Sequence, residues 1–189
     1  MNKSVILVGV GGQGAILTAK ILTNGLISAG YDVKMSEVHG MSQRGGSVST
    51  QVHFGDKVYS PVTGPGSADV IVAFEKMEAV RYANYLKKDG IAVINDYEMA
   101  SATTAAGLAQ YPEGCLEAMQ EHFRCFSLKA GEVARAVGNE KCMNIVLFGA
   151  LTKVLELPNI DWEEVIRTTV PAKFIDLNIA AYRAGKEAI

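Results

Sequence analysis

The hydrophobic pattern changes period twice within the first forty residues. Residues 5–8 form an unbroken apolar run, which is typical of a strand buried on both faces of a parallel sheet. Between residues 13 and 29 the apolar side chains recur at helical spacing, and Gly30 stands where a C′ glycine ends a helix. Residues 32–38 return to a strand pattern. This order predicts a strand–helix–strand unit at the start of the chain.

A strand with one polar face is predicted after the polar segment at residues 39–46. Val48, Thr50, Val52 and Phe54 alternate with Ser47, Ser49, Gln51 and His53, which form the polar face. Gly55 and Asp56 fit a two-residue turn, and residues 57–60 are predicted to return as the partner strand. We therefore expect an antiparallel hairpin inserted into the alternation of helices and strands.

The middle of the chain continues that alternation. Further strands are predicted over residues 69–74, 91–95 and 123–128. Between the first two, residues 75–88 predict a helix that ends at Gly90 and carries the cations Lys87 and Lys88 in its last turn. Residues 101–114 show no clear period.

The last third of the chain is helical in pattern. Residues 139–155 have an almost entirely apolar middle, which predicts a buried helix. Asp161 and Glu164 have the spacing of a capping box, and Pro171 suits the first turn of a final helix that ends near residue 186. The predicted fold class is α/β, with a Rossmann-like, mostly parallel sheet flanked by helices, an antiparallel hairpin insertion and a helical C-terminal part. One domain is expected over residues 1–189.

Composition and charge limit the classes of function. Of 189 residues, 49% are hydrophobic and 20% are charged, which is typical of a folded domain. The 18 basic and 20 acidic residues give a net charge of -2, which favours neither a nucleic acid nor an anionic membrane as partner. The first apolar run is too short for a signal peptide or a membrane span, so a cytoplasmic location is expected.

The three cysteines, Cys115, Cys125 and Cys142, predict neither a disulfide framework nor a CxxC pair. An iron–sulfur cluster held by four protein thiolates cannot be built from this chain alone. Cys115, His122 and Cys125 are close enough in sequence to suggest a metal site, but small buried thiols are the simpler interpretation.

A glycine-rich turn lies between the first strand and the first helix. Residues 9–14 read Gly-Val-Gly-Gly-Gln-Gly, a pattern that permits a tight turn and close approach of a ligand to the backbone. The N-terminus of the following helix favours a phosphate or another anion. Glu37 is near the position of the acidic residue that contacts a ribose in dinucleotide sites. Alternatively, the glycines serve only the turn and its packing, and Glu37 is solvated.

A second cluster of glycines and polar residues follows the second strand. Residues 39–46 read His-Gly-Met-Ser-Gln-Arg-Gly-Gly and predict a loop. Arg44 could hold a phosphate or a carboxylate through two hydrogen bonds, although a solvated surface loop is the plainer alternative. Carboxyl ends of parallel strands share one edge of a sheet, so Arg44, Glu37 and the glycine-rich turn are expected to be neighbours. His39 is the histidine best placed for a functional role.

Two segments together resemble one enzyme family. The first strand and residues 9–14 resemble the opening of the gamma subunit, or gamma domain, of 2-oxoacid:ferredoxin oxidoreductases. Residues 37–48 are most similar to the beta subunit of indolepyruvate ferredoxin oxidoreductase. Tyr59-Ser60-Pro61, and the strand at 69–74 followed by Glu75, are similar as well.

The resemblance implies a division of labour between subunits. Thiamine diphosphate, Mg and [4Fe-4S] clusters are expected in a large partner subunit, with coenzyme A as co-substrate and ferredoxin as an indirect partner. The implied reaction is oxidative decarboxylation of an aryl 2-oxoacid, such as indolepyruvate, to an acyl-CoA. This chain would add binding surface, and the resemblance gives none of its residues a catalytic role. The binding residues carried over are Gly9, Gly11, Gly12, Gln13, Gly14, Glu37, His39, Gly40, Met41, Ser42, Gln43, Arg44, Gly45 and Gly46.

Two other functions remain open from the residues themselves. A free-standing dinucleotide-dependent oxidoreductase would use the glycine-rich turn and Glu37, and a regulatory module would bind a small molecule without chemistry. The sequence contains no G-x-S-x-G elbow, no His-x-x-x-His pair and no GxxxxGK[ST] loop. We therefore favour a subunit that is inactive alone.

Overall fold

One mixed sheet organises the chain in the computed structural model, which describes residues 2–39 and 45–189. Its strands are β1 (Lys3–Val10), β2 (Asp32–His39), β3 (Ser47–Gly55), β4 (Ala68–Ala73), β5 (Leu86–Asn95) and β6 (Arg124–Leu128). They lie in the order β2–β3–β1–β4–β5–β6. β1, β4, β5 and β6 pair in parallel, whereas β3 pairs antiparallel with both β1 and β2. The predicted α/β class with a mostly parallel sheet is confirmed.

Helices cover both faces of the sheet. They are α1 (Ala15–Ser28), α2 (Lys76–Arg81), α3 (Ala102–Ala105), α4 (Cys115–His122), α5 (Ala130–Ala136), α6 (Met143–Leu155), α7 (Trp162–Thr169) and α8 (Ile175–Glu187). Val5 and Leu7 of β1 pack in one core with α1 and α5 to α8. Ile6 and Val8 pack in a second core with α2 and α4. Both faces of β1 are thus buried, as its unbroken apolar run predicts.

Two helix ends follow the predicted local signals. After α1, Gly30 has a φ of 86°, and its N–H donates to Ile27 O at 2.9 Å. Tyr31 N donates to Leu26 O at 3.1 Å, which completes a Schellman motif. At the start of α7, Asp161 Oδ1 accepts a hydrogen bond from the N–H of the residue three positions on, at 3.1 Å.

The predicted return strand at residues 57–60 is wrong. These residues are described and form no strand; Val58 N donates instead to the Asp32 carboxylate at 2.9 Å. The antiparallel hairpin is the one formed by β2 and β3. Because β1 and β2 occupy the two edges of β3, no edge is left for a return strand.

The predicted helix at residues 75–88 is too long. α2 ends at Arg81 and is followed by a 3-10 turn at Ala83–Tyr85. Lys87 and Lys88 belong to β5, because Leu86 is buried and pairs with β4. Among the elements without a sequence signal are α3 and α4. A 3-10 turn at Ala172–Phe174 also separates Pro171 from α8, so this proline is not in the helix's first turn.

α6 and α8 cross at two glycines. Residues 145–151 of α6 are all buried, as their apolar pattern predicts. A Cβ on Gly149 would lie 2.1 Å from the carbonyl oxygen of Tyr182, and one on Gly185 would lie 1.9 Å from that of Val146. The two helices are therefore in direct backbone contact at this crossing.

Candidate functional site

An open cavity of about 370 Å³ lies where the carboxyl ends of β1 and β2 meet the N-terminus of α1. β1 and β2 run in the same direction with β3 between them, so their carboxyl ends share one edge of the sheet. The cavity is lined by residues 10–16, 37–39 and 48–50. The structure therefore brings the glycine-rich turn, Glu37 and His39 together at one site.

Glu37 and His39 stand at the rim of this cavity. In the ladder with β3, Glu37 lies opposite Thr50 and His39 lies opposite Val48. Both side chains are exposed, whereas Thr50 is buried. The remaining sequence candidates lie outside the described residues, and their binding role stays a prediction. They are Gly40, Met41, Ser42, Gln43 and Arg44.

Gly45 and Gly46 lie directly against the glycine-rich turn. Gly11 N donates to Gly46 O at 2.9 Å, and Gly45 N donates to Gly11 O at 3.4 Å. Gly45 has a φ of 78°, a left-handed conformation that glycine adopts without steric cost. The two glycine clusters of the sequence are thus in backbone contact.

The side chain of Gln13 is committed to the turn itself. Its Oε1 accepts a hydrogen bond from Val10 N at 2.7 Å, and its Nε2 donates to Phe74 O at 3.2 Å. A side chain on Gly9 would disrupt this arrangement, because a Cβ there would lie 2.7 Å from Gln13 Oε1. Gln13 therefore ties the end of β1 to the end of β4, and its amide is paired before any ligand binds.

A second buried amide extends this network along the sheet edge. Asn95, the last residue of β5, donates from Nδ2 to the same Phe74 carbonyl at 3.1 Å. Its Oδ1 accepts from Ala130 N, at the start of α5, at 2.9 Å. These bonds join β4, β5 and α5. Sequence reasoning missed this role, although a polar residue at the end of a buried apolar run was the available signal.

A larger groove of about 730 Å³ lies on the other side of the glycine-rich turn. Its walls come from that turn, from Tyr97 and from the N-terminal ends of α6 and α8. Gly14 has a φ of 85°, and a Cβ there would lie 2.8 Å from Asn144 Nδ2 of α6. The sequence patterns did not predict this groove, because it depends on C-terminal helices that fold back over the turn.

Two buried carboxylates lie just after the end of β4. Glu75 is the N-cap residue of α2, and Glu78 lies within that helix. Glu75 caps the helix by accepting a hydrogen bond from Glu78 N at 3.0 Å. Its other oxygen accepts from Met99 N at 3.3 Å and from the Tyr111 hydroxyl. Burial and the adjacent Glu75 carboxylate raise the pKa of Tyr111, so its hydroxyl remains a donor at neutral pH. Sequence analysis placed both glutamates in a helix and foresaw none of these contacts.

Residues 2–39 and 45–189 contain no group of three or more His, Cys, Asp or Glu side chains placed to hold a metal ion. Cys115, Cys125 and Cys142 are free thiols, and burial raises the pKa of each. In the same part of the chain, no helix has the length and apolar character needed to cross a membrane.

Comparison with known proteins assigns the chain to a family. The family model described as pyruvate ferredoxin/flavodoxin oxidoreductase matches residues 4–188. The chain belongs to this family. Among its relatives, the indolepyruvate oxidoreductase subunit IorB of Pyrococcus horikoshii is 41% identical over 191 residues, covering 98% of this chain and 95% of that subunit. The resemblance found in the sequence is confirmed.

Two solved structures have the fold of this member of the pyruvate ferredoxin/flavodoxin oxidoreductase family. The PORC subunit of pyruvate oxidoreductase from Thermotoga maritima matches with a TM-score of 0.74 and 21% identity, covering 99% of this chain and 96% of that one. The 2-oxoglutarate:ferredoxin oxidoreductase of Magnetococcus marinus, with 2-oxoglutarate, coenzyme A and succinyl-CoA bound, matches with a TM-score of 0.74 and 19% identity. There the match covers 99% of this chain but 31% of the other, so this fold is one part of a longer chain.

Proposed function

We propose that this chain is the small subunit of an indolepyruvate-type 2-oxoacid:ferredoxin oxidoreductase and is inactive without a larger partner. The observation that carries the proposal is the end-to-end match, at 41% identity, with the indolepyruvate oxidoreductase subunit of Pyrococcus horikoshii. The reaction is the oxidative decarboxylation of an aryl 2-oxoacid to an acyl-CoA, with electrons passed to ferredoxin. The subunit works in the cytoplasm, where free thiols are ordinary.

The partner subunit carries the cofactors under this proposal. Thiamine diphosphate with Mg supplies the decarboxylation chemistry, and [4Fe-4S] clusters carry the electrons. The thiols of this chain do not fit such a cluster: there are three, and they stand on α4, on β6 and in the 3-10 turn before α6. Under this proposal the residues of this chain bind and orient the substrate and form no covalent bond with it.

The glycine-rich turn binds the phosphates of coenzyme A in this proposal. Gly12 offers an open backbone, because a Cβ there would meet nothing within 4 Å. The first turn of α1, all of it described, carries no acidic side chain to oppose an anion. Glu37 and His39 add hydrogen-bonding groups at the rim, and Arg44 belongs to the same proposed surface.

The partner docks on the carboxyl edge of the sheet in this proposal. Large apolar side chains are exposed around both cavities: Ile16 and Val38 beside the first, and Tyr97 and Phe174 beside the second. Exposed apolar surface around a cleft is typical of a protein interaction site. Closing this edge with a second subunit would exclude water from both cavities.

Co-expression with the large subunit tests the proposal. We expect the chain to co-purify with it and to be required for indolepyruvate- and CoA-dependent reduction of an electron acceptor. Ile16→Glu should weaken co-purification. Tyr59→Glu is the control, because Tyr59 is a large apolar side chain that is even more exposed than Ile16. It follows Val58, which is bonded to the first residue of β2 at the opposite edge. A chain that neither co-purifies nor changes the activity contradicts the proposal.

Arg44→Ala tests the binding surface separately. Loss of a bidentate phosphate contact should raise the KM for coenzyme A, with the melting temperature unchanged. Kinetics equal to those of the wild type would remove Arg44 from the site while leaving the subunit assignment intact.

One observation favours a second function, that of a free-standing dinucleotide-binding oxidoreductase. Glu37 lines the same cavity as the glycine-rich turn, as a ribose-binding carboxylate would. Calorimetry of the chain alone with NAD distinguishes the two functions. Binding that is lost in Glu37→Gln would favour the dinucleotide site, and absence of binding would favour the subunit.

A further inference from the structure

The point where the segment 39–46 joins β3 is held from two directions. Its last glycines are bonded to the backbone of Gly11, as described above. The next residue, Ser47, pairs with Val10 in the β1–β3 ladder. Its hydroxyl donates to Glu78 Oε2 of α2 at 2.5 Å. The Glu78 side chain comes from α2, on the face of the sheet opposite α1. It therefore reaches the residue that directly follows Gly45 and Gly46.

Glu78 is an unusual residue to find at this position in the core. It is only 2% exposed, and an ionised carboxylate at such a site is costly unless it is paired. One oxygen accepts from Arg81 Nε at 3.1 Å, but the arginine side chain is 52% exposed, so solvent screens this pair. The short bond from Ser47 has the length of a charge-assisted hydrogen bond. Ser47 and Arg81 are thus the hydrogen-bond partners of this carboxylate among the described residues.

The α2 backbone that carries Glu78 is also held in place. Its backbone N–H is bonded to the carboxylate of Glu75, which is fully buried. Ala79, the next residue, is fully buried in the core beneath α2. The Glu78 carboxylate thus stands on a fixed turn of helix, and among the described residues Ser47 is the one distant in sequence to which it is hydrogen-bonded.

We infer that Glu78 is a positioning residue, which through Ser47 fixes Gly45 and Gly46 against the glycine-rich turn. The inference rests on the proposed function. Glu78 is not among the described residues that line either cavity, so it acts through Ser47 alone. Without the bond, the Ser47 hydroxyl no longer supports the pairing of Ser47 with Val10 or the backbone contacts of Gly45 and Gly46 with Gly11. Coenzyme A then binds to a surface that is less well ordered before it arrives.

Ser47→Ala in the assembled enzyme tests the inference, because Glu78→Ala would leave a cavity in the core. We expect the KM for coenzyme A to rise about tenfold, because binding must then supply the ordering that the bond supplied beforehand, with kcat within about twofold of the wild type. Ser47→Thr keeps the hydroxyl and should restore the KM. Arg81→Ala removes the other partner of the same carboxylate and should leave the KM unchanged.

Two kinetic results would overturn the inference. One is a wild-type KM in Ser47→Ala. The other is an equal rise in KM in Arg81→Ala, which would make the carboxylate a general stabiliser of α2. If the wild-type assembly has no 2-oxoacid activity, the proposed function fails, and amide hydrogen exchange decides the anchoring by itself. Faster exchange at Gly45 and Gly46 in Ser47→Ala supports it, and unchanged exchange overturns it.

Discussion

Gly149→Ala should destabilise the protein, although alanine is the better helix former. A Cβ at this position would lie 2.1 Å from the carbonyl oxygen of Tyr182 and 2.9 Å from Lys186 N, whereas an ordinary contact is at least 3.4 Å. The first contact is short by about 1.3 Å. Both obstacles are backbone atoms of α8, so no side-chain rotation relieves them, and the two helices must move apart.

The expected loss of stability follows from two opposing terms. Overpacking a close-packed core costs about 1–3 kcal/mol, and a backbone obstacle places this site near the upper end. Replacing a helical glycine by alanine returns about 1 kcal/mol of helix propensity. The net loss is about 2 kcal/mol, which for a chain of this length lowers the melting temperature by roughly 4–8 °C.

Thermal and urea unfolding followed by circular dichroism measure this loss. Gly131→Ala in α5 is the matched control, because a Cβ there would meet its nearest atom, Glu140 Oε1, at an ordinary 3.5 Å. The control should be neutral or more stable by up to about 1 kcal/mol. A Gly149→Ala variant as stable as the wild type would refute the backbone contact between α6 and α8.

Three further predictions concern polar groups. Gln13→Glu replaces the donor to Phe74 O by an acceptor and should cost about 1–3 kcal/mol in urea unfolding. Asp161→Ala removes the acceptor for Glu164 N and should cost about 1 kcal/mol in thermal unfolding, with Asp161→Asn as the variant that keeps the cap. Burial lowers the pKa of His53, so the unfolded chain binds a proton more readily, and stability should fall as the pH drops below about 6.5. His53→Gln should flatten this decline in pH-dependent unfolding.

One result would contradict each of these three predictions. Wild-type stability in Gln13→Glu would mean that its amide does not hold the end of β4. If the alanine and asparagine variants at Asp161 lost stability equally, the cap would not be the cause. A stability profile below pH 6.5 that is the same with glutamine at position 53 would assign the decline to other groups.

Sequence reasoning succeeded where the signal was local. Gly30 and Asp161 act on residues at most five positions away, so their spacing was sufficient to end α1 and begin α7. Lys87 and Lys88 were misplaced because pairing of Leu86 with Ala68 overrides the helical pattern around them. That pairing joins residues far apart in sequence, so the pattern within a short stretch of the chain does not indicate it.

The same distinction separates the site residues that the sequence predicted from those that it missed. The glycine pattern and Glu37 were found because strand direction brings the ends of β1 and β2 to one edge. The partners of Gln13 and Glu78 were not found, because Phe74 and Ser47 are 61 and 31 positions away. Such contacts depend on the order of strands in the sheet, and the place of β3 in that order was not encoded in any single motif.

The position of β3 also dictates the order in which the sheet can be completed during synthesis. The chain passes from β1 through α1 to β2, yet β2 cannot pair with β1, because β3 occupies the slot between them. Every residue from Lys3 to Val10 finds its antiparallel partner among residues 47–54. One edge of β1 therefore stays open on the ribosome until that stretch has emerged, and a pause in translation before it would expose an aggregation-prone strand.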